Sequence, residues 1–172
     1  MRAGARRAAS RVAVGLGAAL VLAGCAGRIR DGVFRSEHGF RVTLPGPAWT
    51  VVDDSRAELQ LQRAAGGAGM LVHATCRPDA VRRSFDVLER HLLLGLRDRA
   101  TLEDGEVDVA GRRALHRVVE GRARAARARV RIESYVLKDA RCVYDLLYVA
   151  SPDAFDGSRE DFRRFVQSFA TE

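Results

Sequence analysis

Few side chains in this 172-residue chain have the type and spacing to do chemistry: three cysteines, four histidines, one aspartate inside an apolar run, and one arginine-rich stretch. The cysteines, Cys25, Cys76 and Cys142, are far apart in sequence, so there is no Cys-x-x-Cys redox motif. Cys76 and Cys142 form a disulfide candidate, with two separate buried thiols as the alternative. The bond would close a loop of about 66 residues and contribute on the order of 4 kcal/mol through chain entropy. His38, His73, His91 and His116 include no pair at metal-ligand helical spacing, so structural or exposed roles are expected and no metal or other cofactor is implied. No Gly-x-Ser-x-Gly elbow occurs, and no serine has the local context of an activated nucleophile. The expectation is a protein that is not an enzyme.

Two charged features remain. Asp145 is the one charged residue in "CVYDLLYVA", Cys142 to Ala150. It is either a general acid or base with a burial-raised pKa, or the partner of an arginine on a neighbouring strand, and the second is the expectation. In "GRARAARARVRIE", the period is two from Arg127 onward. Arg127, Arg129 and Arg131 are therefore expected on one strand face, as a candidate surface for anionic lipid headgroups or an acidic partner. The plainer reading is a solvated face whose long side chains cover a sheet edge. No aromatic residues are interleaved with these arginines, which argues against a nucleic acid partner.

The N-terminus supplies context. Arg2, Arg6, Arg7 and Arg11 precede a 12-residue apolar run, Val12 to Ala23, with no acidic residue before Cys25. This is the pattern of a secretory signal, and the run is shorter than the roughly 20 residues that span a bilayer. Leu22-Ala23-Gly24-Cys25 resembles the bacterial lipobox. The resemblance implies lipidation of Cys25, cleavage before it, and a membrane anchor of several acyl chains, enough for stable attachment. Ala26 in place of aspartate after that cysteine favours the outer over the inner membrane of a Gram-negative cell. Without residues 1–24 the formal charge falls from +7 to +3, because the segment carries four arginines and no acid. The basic balance is thus poor evidence for nucleic acid binding. Lys138 is the only lysine among 29 basic residues.

The remaining 148 residues suit one domain with a real core. "GVFRSEHGFRVTLP" reads as two short strands about Glu37-His38-Gly39, with Phe40, Val42 and Leu44 inward. Trp49 begins another apolar stretch. "AELQLQRA" and "GMLVHATC" read as a hairpin about Gly66 and Gly67. "SFDVLERHLLLGLRD" has helical period, placing Phe85, Leu88, Leu92 and Leu96 on one face and Arg97 and Arg99 at its C-terminal end. "EVDVAGRRALHRVVEG" predicts two strands turning at Gly111. "RARVRIESYVLKDARCVYDLLYVA" predicts a hairpin turning near Lys138-Asp139, its second strand central and covered on both faces. A helix closes the chain, with Phe162, Phe165, Val166 and Phe169 inward and Ser158 to Asp161 spaced as a capping box.

The resulting expectation is an α+β fold with a predominantly antiparallel sheet and helices packed on its faces. In this order, "GFRVTLPGPAW", "EVDVAGRRALHRVVEG", "CVYDLLYVASPDAF" and "FRRFVQSFA" resemble the PsbP-like group, which includes DcrB-type lipoproteins. The resemblance implies an α/β/α sandwich and a family whose members mostly bind or help assemble protein complexes. The expected organisation is a signal peptide at 1–24, a lipidated tether at 25–32, and a single PsbP-like domain at 33–172. The expected function is a lipid-anchored binding or assembly module of the cell envelope, facing the periplasm or exterior, with an envelope protein as partner. The rival reading is a small-molecule binder or enzyme with a pocket between sheet and helix near Asp145 and Trp49.

Overall fold

A computed structural model describes residues 28–124 and 127–172. The Cys25 lipidation candidate and the signal segment lie outside the described residues. The larger of two sheets has seven strands: β4 (Trp49–Val51), β5 (Leu59–Arg63), β6 (Ala68–Thr75), β10 (Val143–Ala150), β9 (Arg129–Lys138), β8 (Arg112–Ala123) and β7 (Leu96–Val109), in that spatial order. Every neighbouring pair is antiparallel. The second sheet is small, with the order β1 (Ile29–Arg30), β2 (Val33–Arg35), β3 (Phe40–Thr43) and β11 (Ala170–Thr171). The fold is α+β with helices on both faces of an antiparallel sheet, as the sequence predicts.

Central β10 explains the apolar run that encodes it. Tyr144, Leu146, Tyr148 and Ala150 face one way, into a core closed by α3 (Asp156–Gln167). Val143 faces the other way, with Val136 and Leu115, against α1 (Pro78–Val81) and α2 (Phe85–Leu92). A strand covered on both sides has no polar face to alternate with. On the α3 side, Phe40 stacks on Phe169 at 5.6 Å and meets the edge of Tyr144 at 5.8 Å, so β3, β10 and the connection between α3 and β11 share one aromatic cluster.

Several expectations shift by a few residues, each for a tertiary reason. Ile29 and Arg30, which the sequence places in the tether, form β1. Ile29 pairs with Phe34 across a turn at Asp31 and Gly32, whose φ values are 51° and 73°. The folded region therefore begins before residue 33. Helix α2 stops at Leu92, and Leu96, Arg97 and Arg99 belong to β7. Arg99 folds back instead of lying at the helix end, donating from Nε to the Leu96 carbonyl at 2.9 Å and from its terminal nitrogen to the Leu93 carbonyl. It ties the start of β7 back to the turn that follows α2. No side-chain cap forms on α3. Ser158 is buried inside the helix beside Arg63, and Asp161 accepts a hydrogen bond from Trp49 Nε1 at 2.9 Å. Both capping candidates are thus recruited to the packing of β4 and β5 on α3. The closing strand β11 is too short to leave a periodic signal.

Candidate functional site

The register of β6 and β10 brings the two cysteines together. Val143 pairs with Thr75, so the next residue on each strand, Cys142 and Cys76, is its cross-strand neighbour, and the two form a disulfide. Asp139 shapes the adjoining turn by accepting the N–H groups of Arg141 and Cys142 and the hydroxyl of Tyr144, at 2.7, 2.8 and 2.9 Å.

The arginine stretch is divided by the structure. Arg127 is not on the strand face. It has φ 52° in the connection before β9 and is exposed. Arg129 and Arg131 share a face, but both bond to Glu120 of β8. Arg131 also covers the ring of Phe155 at 5.2 Å, so much of its side chain is packing. The residues that gather around Arg127 are instead Arg97, Asp98, Arg122 and Arg124, which line a cleft of about 390 Å³ at the end of β7, β8 and β9. The sequence reading missed this group by placing Arg97 at a helix end and starting the period-two stretch at Arg127, which left Arg122 and Arg124 outside it. Gly121 is the signal that was available. A Cβ there would lie 2.7 Å from the Arg97 carbonyl oxygen, so β7 and β8 approach closely only because this residue is glycine.

Asp145 lies on the opposite sheet face from Trp49, so the two do not share a pocket. Its cross-strand neighbours are His73 and Val136, not an arginine, and no arginine pairs with it among the described residues. It floors a cleft of about 270 Å³ walled by Leu88 and Leu92 of α2 and rimmed by Arg77, Arg83 and His91. Burial pushes its carboxyl up to about 7. His73 Nδ1, from the adjacent strand, is buried without a hydrogen-bond partner among the described residues. Arg83 is held by Asp79 at 3.0 Å and by His91 Nδ1 at 3.2 Å, which draws part of the rim's positive charge away from the cleft.

Elsewhere the most buried carboxylate is bonded by protein groups, while Glu89 Oε1 and Arg112 Nε are buried without a hydrogen-bond partner among the described residues. Glu133 is 0% exposed and accepts from His116 Nε2 at 2.8 Å, Arg159 Nε at 2.8 Å and the Tyr135 hydroxyl at 3.2 Å. Burial opposes its ionisation, but the His116 and Arg159 hydrogen bonds and charges outweigh it and hold the carboxyl below its usual range. Arg159 also bonds both oxygens of Glu103 at 2.7 Å. The network ties α3 to β7, β8 and β9 and is filled by protein groups. On the other face, Arg117 bonds Asp104, Glu89 and Asp86, fastening α2 to the β7–β8 hairpin. No group of three metal-ligating side chains occurs among the described residues. His38 is half exposed and pairs with Glu58 at 3.0 Å.

No protein-family model matches this chain, and no curated protein matches it in sequence. Its likenesses are to solved structures. Cyanobacterial PsbP from Synechocystis sp. PCC 6803 matches with a TM-score of 0.60 at 13% identity, over 88% of this chain and 99% of that one. LpqN of Mycobacterium tuberculosis, described as involved in cell envelope biogenesis, matches at 0.54 and 13%, over 80% and 87%. A Bacteroides thetaiotaomicron protein matches at 0.59 and 9% over 82% of this chain, which spans only 48% of that protein's length. Identities this low carry the architecture and no activity. The fold is PsbP-like.

Proposed function

We propose that this protein is an exported lipoprotein, anchored through Cys25, that serves as a binding or assembly module of the cell envelope and performs no catalysis. The observation that carries the reading is the Cys76–Cys142 disulfide, formed in register between two central strands. A structural disulfide requires an oxidising compartment, and the lipobox-like N-terminus provides the route to one. The PsbP-like architecture, shared with an envelope protein such as LpqN, supports the same setting by analogy. The Glu133 network is filled by protein groups, as befits a rigid scaffold. Ala26 directs the anchor to the outer membrane where the cell has one.

The test is crosslinking in intact cells with membrane fractionation, comparing the wild-type chain with Cys25→Ala. The expected result is a membrane-bound protein with a specific crosslinked partner, and loss of both in the variant. A wild-type protein that fractionates as soluble, or one that captures no specific partner, overturns the module reading. A second reading rests on the cleft under α2. Among the described residues, Asp145 on its floor has no bonded partner and the neighbouring His73 Nδ1 is unsatisfied, which favours a small cationic ligand there. Saturable binding of a primary amine, lost in Asp145→Asn, would support it.

A further inference from the structure

We infer that the cleft at the end of β7, β8 and β9 is a binding site for a phosphate group, carried by a lipid headgroup or free in solution. The inference names the chemistry that the proposed module binds, and it needs only that the module binds a ligand, not that Cys25 is anchored. Three observations carry it.

The first is register. Arg97 of β7 stands directly opposite Arg122 of β8, and Arg122 stands directly opposite Arg129 of β9. Three guanidiniums are therefore abreast on adjacent strands. Like charges directly opposite each other destabilise a sheet; Glu120 relieves Arg129, which leaves the facing Arg97 and Arg122 to an anion bound in the cleft.

The second is the distribution of carboxylates. Glu120, two residues before Arg122 on β8, is taken by Arg129 and Arg131. The cleft itself contains one acid, Asp98, 3.8 Å from Arg122. Arg97, Arg124 and Arg127 make no ion pair among the described residues. Four guanidiniums thus meet one exposed carboxylate around a concavity, whereas the protein's other large arginine clusters are matched by acids. Planar guanidinium forks suit the oxygens of a phosphate and bind it through paired hydrogen bonds.

The third is construction. The backbone bearing these arginines is fixed: the Arg124 N–H donates to the Gly95 carbonyl and the Ala123 N–H to the Ala128 carbonyl, both at 2.9 Å. Asp98 and Arg127 hold positive φ values of 51° and 52°, a conformation costly for residues with a Cβ. A register shift in β7 between Arg97 and Ala100 lies beside the cleft. A solvated strand end needs none of these features.

The test uses the full chain carrying Cys25→Ala, so that acyl chains do not dominate membrane binding. Inorganic phosphate is titrated calorimetrically, and flotation is measured with vesicles of phosphatidylcholine alone and mixed with phosphatidylglycerol. Arg97→Ala, Arg122→Ala, Arg124→Ala and Arg127→Ala are each expected to weaken binding about fivefold, from the contribution of one arginine near an anionic surface. Arg131→Ala, already paired with Glu120, is the control and is expected to change binding less than about twofold. Saturable phosphate binding that competes with the anionic vesicles identifies phosphate itself as the ligand. Selective vesicle binding without a phosphate isotherm identifies the lipid headgroup. Absence of both, or equal losses in the Arg131 control, overturns the inference. Failure to crosslink a protein partner in cells would leave this result standing, so the two readings fail separately.

Discussion

Replacing Asp145 with asparagine should stabilise the protein, and the gain should depend on pH. The carboxylate lies on the floor of the α2 cleft with no bonded partner, opposite His73 and Val136, and burial raises its pKa from 3.8 to about 7. Between those values the folded state binds more protons than the unfolded chain, so this group makes stability fall as pH rises, with the full cost reached above about pH 7. Three pKa units at about 1.4 kcal/mol each set a ceiling of about 4 kcal/mol. Water reaching the carboxylate through the cleft lowers the effect to about 2–3 kcal/mol. Asparagine keeps the shape and removes the charge. Urea unfolding with the disulfide intact should therefore show Asp145→Asn more stable by that amount near pH 8, with the difference shrinking below about 1 kcal/mol near pH 4. A variant less stable at pH 8, or a gain independent of pH, would refute the account by showing that the carboxylate has a partner in the folded protein. A confirmed cost would also strengthen the second functional reading, since a buried charge kept at the expense of stability suits a cationic ligand.

Three further outcomes follow from packing and charge. Glu133→Gln should destabilise by about 3–5 kcal/mol in urea at neutral pH, because Arg159 and His116 lose a fully buried partner. Since the folded pKa of Glu133 is lowered, its contribution is present above the ordinary carboxylate range and lost as pH falls through the folded value, so wild type and variant should converge in acid. The double variant Cys76→Ser, Cys142→Ser should lose about 4 kcal/mol, read as a lower urea midpoint and matched by reduction of the wild type; an unchanged midpoint would count against the bond. Gly121→Ala should cost about 1–3 kcal/mol, because its Cβ would stand 2.7 Å from both the Arg97 carbonyl oxygen and Leu96 Cγ. A thermal midpoint equal to wild type would show that β7 yields.

Local pattern was enough for most elements. The alternation in "GFRVTLP", the glycines at 66, 67 and 111, and the phenylalanines of the last helix each state a periodicity or a positive φ that a short segment must satisfy on its own. The apolar run of β10, broken only by Asp145, likewise announced a strand with both faces covered. The same locality explains where the reading stopped. Leu96 continues the helical period of α2 and still enters β7, because burial beside Val119 outweighs one more turn of a short helix.

Side-chain partners were less legible than elements. Nothing near Asp145 in the sequence says that the facing positions are His73 and Val136, since register between β6, β10 and β9 sets them. Arg127, Arg129 and Arg131 look alike along the chain, yet Glu120 neutralises two of them while the third turns toward Arg97, Arg122 and Arg124. The sequence by itself determined the order of the main strands and helices and the antiparallel plan, because each is written in residues close together. Only the tertiary structure decided which charges are paired, which are left facing a cleft, and that the cysteines meet. Those outcomes depend on cross-strand register, which joins residues far apart in the chain, 66 positions for the two cysteines, and leaves no local trace.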